Sequence, residues 1–152
     1  MPPVCEWMML IATRSCGDVV LKHDDAVTAV GFSSDGALMA FADDQYRFFV
    51  ADRESGRILS GPLAHPALNY TGAEPKCNLI FSKDKRVLVT TSMSGGICRW
   101  DWMKSELIGE PIDNGKTEPV PNLNSVLGAL LTTDDKCLVV TGGRGGLGYV
   151  RS

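Results

Sequence analysis

What this chain lacks removes several classes of function at the outset. No apolar run among its 152 residues is long enough to cross a bilayer as a helix. Basic residues form no stripe: 15 Lys and Arg stand against 18 Asp and Glu, a net charge of −3. That balance argues against an electrostatic grip on nucleic acid or on an anionic membrane. The cysteines Cys5, Cys16, Cys77, Cys98 and Cys137 are odd in number and include no CxxC pair. Such usage favours reduced thiols in the cytoplasm or nucleus. The brief apolar stretch from Trp7 to Ala12 has no basic leader and follows Glu6, which argues against a secretory signal. No Gly-x-Ser-x-Gly elbow marks a nucleophile, and no loop shows calcium-ligand spacing.

What is present is strand and turn chemistry. The length suits a single domain with a sizeable core, and a hydrophobic share of 44% with 22% charged residues is ordinary for a globular chain. The stretch Leu79–Asp101 sets the pattern. Leu79–Phe81, Val87–Thr91 and Ile97–Trp100 are short runs of aliphatic, aromatic and β-branched residues, which suit a packed pleated surface. Turn-forming residues separate them, Ser82-Lys83-Asp84-Lys85 first and Ser92-Met93-Ser94-Gly95-Gly96 second. Apolar and polar residues do not alternate strictly, as expected of strands covered on both faces.

Upstream, the same logic predicts strands at Val19–Leu21, Val27–Phe32, Leu38–Ala42, Tyr46–Val50 and Ile58–Leu63, the last interrupted by Gly61-Pro62. The final four form one antiparallel meander. The unit then repeats. Phe32-Ser33 answers Phe81-Ser82 and Asp52 answers Asp101, each 49 positions on, while Asp134 lies 50 beyond Asp84. Gly61-Pro62-Leu63 answers Gly109-Glu110-Pro111-Ile112, and a third unit predicts strands at Cys137–Thr141 and Leu147–Val150. The units run over residues 17–63, 64–112 and 113–152, with residues 1–16 as an N-terminal segment and remnant of a preceding unit. A period near 50 belongs to the longer repeat architectures. Two linkers rich in Pro, Gly and Asn, His65–Lys76 and Asp113–Ser125, are loops, where binding specificity usually resides.

The pattern His-x3-Val-x2-Val-x-Phe-Ser-x-Asp-Gly at His23–Gly36 resembles the opening half of a WD repeat. Trp100-Asp101 resembles the dipeptide that names that family. The resemblance covers residues 17–152. It implies an all-β chain of about three four-stranded antiparallel blades, a partial β-propeller. It also implies that the outermost strand of one blade comes from the other end of the chain, with Val19–Leu21 as the spare strand for the third unit. The family links His, Ser/Thr, Asp and Trp by buried hydrogen bonds. Here the first unit has His23 and Asp44 but Ala51 where Trp is expected, and the second has Trp100 but Ser94 at the Asp position. Stability must therefore lean on apolar packing. Propellers close with four to eight blades. Three leave open a piece of a longer propeller, completion by a second chain, or an arc with exposed edges.

One motif competes. Leu138–Gly148, LVVTGGRGGLG, places Thr141-Gly142-x3-Gly146-x-Gly148 after a strand and resembles the dinucleotide fingerprint of short-chain dehydrogenases and ketoreductases. That chemistry needs a helix whose N-terminus faces the pyrophosphate, a later acidic ribose ligand and a catalytic Tyr and Lys, and Ser152 follows only four residues on. The simpler reading makes the glycines a turn before a last strand. His23 and His65 read as loop-to-sheet hydrogen-bonding residues. Asp24-Asp25 and Asp43-Asp44 read as solvated turn carboxylates, Cys98 and Cys137 as buried small hydrophobes, and Trp7, Trp100 and Trp102 as core and rim residues. No catalytic, cofactor or metal residue is assigned. The expectation is a non-catalytic scaffold that binds a protein partner through Pro66–Lys76 and Asn114–Asn124, or associates with itself. A dinucleotide-binding remnant centred on residues 141–148 is the alternative.

Overall fold

The computed structural model describes residues 9–10, 19–64, 77–92, 96–113, 128–132, 134–135, 138–141 and 148–151. Among them the chain is all β and contains no helix. In order the strands are β1 (Met9–Leu10), β2 (Val19–Leu21), β3 (Val27–Phe32), β4 (Leu38–Asp43), β5 (Arg47–Asp52), β6 (Ile58–Ala64) and β7 (Cys77–Phe81). Then come β8 (Val87–Ser92), β9 (Gly96–Asp101), β10 (Glu106–Leu107), β11 (Ile112–Asp113), β12 (Gly128–Leu131), β13 (Leu138–Thr141) and β14 (Gly148–Arg151). They form antiparallel sheets in simple sequence order: β3-β4-β5-β6, then β7-β8-β9-β10 with β11 also on β9, then β12-β13-β14. Connections this short permit only neighbouring antiparallel pairs.

The repeat is written into the hydrogen bonds. Ser33, Ser82 and Thr132 each turn a side-chain hydroxyl onto the aspartate two residues later, at 2.7, 2.6 and 2.6 Å. In each case the next residue, Gly36, Lys85 or Asp135, has a positive φ and donates its amide back to the Ser or Thr carbonyl. The β5–β6 and β9–β10 turns match as well, with Gly56 and Ser105 both at positive φ, 69° and 59°. Register agrees: Leu63 opposes Phe48, and Ile112, 49 positions later, opposes Ile97.

Three apolar layers lie on the faces of these sheets. The first sheet turns the small side chains Ala29, Ala40 and Ala42, with Phe48 and Val50, toward Leu79, Phe81, Leu88, Cys98, Trp100 and Trp102 of the second. Small faces large, so the layers interlock. The other face of the second sheet, Ile80, Val87, Val89 and Ile97, meets Ala129 of the third. The other face of the first sheet carries Met39, Phe41, Phe49 and Ala51, packed with Leu21 of β2. The inner strands approach closely, for β3 lies against β7 and β7 against β12. Ser60 on β6 ties the outer region by donating to the Trp102 carbonyl and meeting the Ser105 hydroxyl at 3.0 Å.

Four expectations change. Val19–Leu21 does not complete the third sheet; it pairs with Met9–Leu10. The sequence explains why: residues 9–20 match residues 48–59 at 39 positions' spacing, with Ala12, Arg14 and Gly17 identical to Ala51, Arg53 and Gly56. β1 and β2 thus correspond to β5 and β6. Second, the outer strand of the second unit is split into β10 and β11 around residues 108–111. Third, Gly61-Pro62 does not interrupt β6, which runs through it with a cis peptide and shifts in register. Gly61 sits at φ 123°, where a side chain would meet Phe48 and Phe49 at 2.7 Å. Fourth, Tyr46 lies at φ 56° in the turn and β5 begins at Arg47.

Candidate functional site

The meanders have two rims of different character. One carries the tight turns 33–36, 82–85 and 132–135. Neighbouring sheets are clasped there: Lys85 Nζ reaches Asp35 Oδ2 at 2.5 Å, and the Lys83 amide donates to the Asp135 carboxylate at 2.8 and 3.0 Å. The opposite rim carries the long connections. Ala64 opposes Arg47, Cys77 opposes Ser92, Asp113 opposes Gly96, and Gly128 opposes Thr141. The linkers predicted as contact loops, Pro66–Lys76 and Asn114–Asn124, therefore leave from and return to this one rim. Their own residues, including His65, lie outside the described residues.

On that rim the first sheet has a polar cluster. Asp43, at the end of β4, is fully buried. Its Oδ1 accepts the amides of Gln45 and Arg47 at 2.9 and 3.0 Å, which shapes the β4–β5 turn. Its Oδ2 accepts Arg47 Nε at 2.8 Å and lies 3.2 Å from His23 Nε2. Arg47 Nη2 bridges onward to Asp25. The His23 ring stands edge-on to Phe41 and Phe49, at 5.2 and 4.9 Å between centroids, and those two rings stack on each other at 5.0 Å. His23 thus locks the segment before β3 onto the apolar face behind it. Burial pushes the Asp43 carboxyl up, but the backbone and side-chain hydrogen bonds of Arg47 and the bond with His23 outweigh it. The group is held below the usual carboxylate range.

His23, Asp25 and Asp43 present ligand atoms within 4.8 Å of one another, a spacing a cation could use. The Arg47 guanidinium already supplies positive charge between the two carboxylates. The cluster reads as a charge-satisfied structural lock.

The expected residues fall as follows. His23 is a loop-to-sheet hydrogen-bonding residue, as its position before a strand suggested. Its carboxylate partner is Asp43, not Asp44, because Asp44 lies in the turn and is exposed. Nor is Asp43 a solvated turn carboxylate. The available signal was Arg47, four residues on across a tight turn. In the second sheet Trp100 is buried, and its Nε1 donates to Thr90 Oγ1 at 2.9 Å. Trp102 is buried too and donates to the Lys85 carbonyl at 2.6 Å. A His–Asp hydrogen bond thus lies in the first sheet and a Thr–Trp hydrogen bond in the second. Phe41 and Ala51 stand in the first sheet where Thr90 and Trp100 stand in the second, 49 positions on. Cys98 is buried, and burial pushes its thiol up to about 12. Ser94, Trp7 and Cys137 lie outside the described residues.

In the TGGRGGLG stretch, β13 ends at Thr141 and β14 begins at Gly148, antiparallel to it. Residues 142–147 lie outside the described residues. A strand, rather than the helix a dinucleotide fingerprint needs, follows this stretch.

No protein-family model matches the chain, and a search of curated proteins finds no match. Among the described residues no helix is long and apolar enough to cross a membrane.

Proposed function

We propose that the chain is a non-catalytic protein-interaction scaffold of the WD-repeat β-propeller type, acting in the cytoplasm or nucleus and binding partners through the long loops of one rim. One observation carries this reading: three successive sheets repeat the same hydrogen-bonded turn at 49- and 50-residue spacing. Their inner strands lie side by side, β3 on β7 and β7 on β12, as blades do around an axis. The β1–β2 pair, matching β5–β6 in sequence, is the outer half of a preceding blade. Rigid sheets with tight turns on one rim and long connections on the other suit a fixed platform that carries binding loops.

The test replaces residues 66–76 and 114–124 with short Gly-Ser turns. Circular dichroism checks the fold, and quantitative mass spectrometry compares the proteins retained by each immobilised form. Partners retained by the native chain and lost from the folded variant support the reading. An unchanged set of partners overturns the assignment to these loops. Titration with NADH, followed by its fluorescence, addresses the dinucleotide alternative, which saturable binding would favour.

A further inference from the structure

The faces of the stacked sheets are not equivalently covered. On the second sheet Leu79 and Phe81 are 8% exposed, because the first sheet packs over them. Their counterparts on the first sheet, 49 positions earlier, are Val30 and Phe32, and these are 47% and 48% exposed. Leu21 of β2 covers part of that face, over Met39, Phe41 and Phe49 with Val27 beside them, but leaves Val30 and Phe32 of the inner strand open. At the other end of the stack, Ile80 of the second sheet packs toward the third. Its counterpart on β12, Leu130, is 72% exposed. Each sheet thus has one face that receives the sheet before it and one that receives the sheet after it. The two unfilled faces are of opposite kind.

The geometry points to head-to-tail association with a second copy of this chain, the inner strand β12 of one copy docking by Leu130 against Val30 and Phe32 on β3 of the next. The contact repeats, at the inner strands alone, one the chain already makes twice, β3 with β7 and β7 with β12; the β1–β2 pair holds the outer part of that face, so the docking is confined to β12. An interface joining two different faces is heterologous. It rests on the packing of the sheets and is independent of what the rim loops bind.

This predicts an asymmetric mutational pattern. The native chain associates, with a mass by light scattering that rises with concentration above that of one chain. Val30→Glu with Phe32→Glu blocks one face, and Leu130→Glu blocks the other. Each variant alone is expected to stay monomeric, its dissociation constant raised by more than about tenfold. Mixed in equal amounts, the two have one good face each. They should form a one-to-one heterodimer and nothing larger. Leu130 projects into solvent, so Leu130→Glu keeps its fold and decides the matter even if the double variant does not fold. A monomeric native chain at high micromolar concentration overturns the proposal. So does a Leu130→Glu variant that associates as the native chain does, since that would mean the faces meet like with like. Loss of loop-dependent partner binding, with this association intact, would strike the functional reading and leave this one standing.

Discussion

Gly31 on β3 lies so close to Leu79 on β7 that a Cβ at position 31 would sit 2.3 Å from the Leu79 carbonyl oxygen. No side chain fits there without moving a backbone. This single approach sets the spacing of the first two sheets at their inner strands.

Gly31→Ala should therefore part β3 from β7 and loosen the layer of Ala40, Ala42, Phe81 and Trp100 between them. Overpacking of this kind costs about 1–3 kcal/mol. Chemical denaturation should show the lowered midpoint. An unchanged midpoint would mean that the two strands are not in contact.

Trp100 anchors the second sheet in the same layer. Trp100→Ala should cost about 3–5 kcal/mol through lost burial and the cavity left behind. Trp100→Phe keeps much of the volume and loses the bond to Thr90, so about 1–3 kcal/mol is expected. A ranking in which Phe is as damaging as Ala would show that hydrogen bonding, not packing, dominates this position.

Much of this was legible in the sequence because it is local. Turn residues at Ser33–Gly36 and Ser82–Lys85 recur at constant spacing, and runs such as Val87–Thr91 admit few readings other than strand. What escaped depends on partners distant along the chain. Met9–Leu10 falls in the N-terminal segment read as a remnant of a preceding unit, and its strand shows only when Val19–Leu21 is seen beside it. Asp43 and Asp44 look alike as a turn pair except for Arg47, four residues beyond Asp43. One is fully buried because Arg47 and His23 converge on it, and the other is exposed. Gly31 looks like a weak point in a strand, and its reason lies 48 residues away in Leu79.

Asp43→Asn should destabilise the first sheet by about 3 kcal/mol, because the amide turns a donor toward Arg47 and His23 and leaves the guanidinium poorly paired. Acid should act in the same direction. The Asp43 carboxyl is held low, burial notwithstanding, by Arg47 and His23. Asp35, Asp52 and Asp84 are held low by hydrogen bonds from Lys85, Ser55 and Ser82 respectively. Folded carboxylates below their unfolded value of about 3.9 contribute stability that is present above that pH. It is lost as pH falls through the folded values, since the unfolded chain takes up protons first. Urea midpoints measured from pH 6 to pH 2 should fall below about pH 4, less steeply in Asp43→Asn. A pH-independent midpoint would remove the lock from the account.

Cys98 should resist iodoacetamide at pH 8 in the folded chain and react once guanidinium unfolds it, because burial keeps the thiol protonated. Peptide mapping reads this directly. Rapid native labelling at Cys98 would place it outside the layer between the first two sheets.

The stacking of repeated sheets through their inner strands is the central claim, and proton–proton contacts in solution test it most directly. A nuclear Overhauser spectrum of the isotopically labelled chain should connect the Gly31 α-protons with protons of Leu79, alongside the cross-strand contacts within each sheet. If the contacts within sheets appear and the Gly31–Leu79 contacts do not, the sheets form but do not stack, and the propeller reading falls.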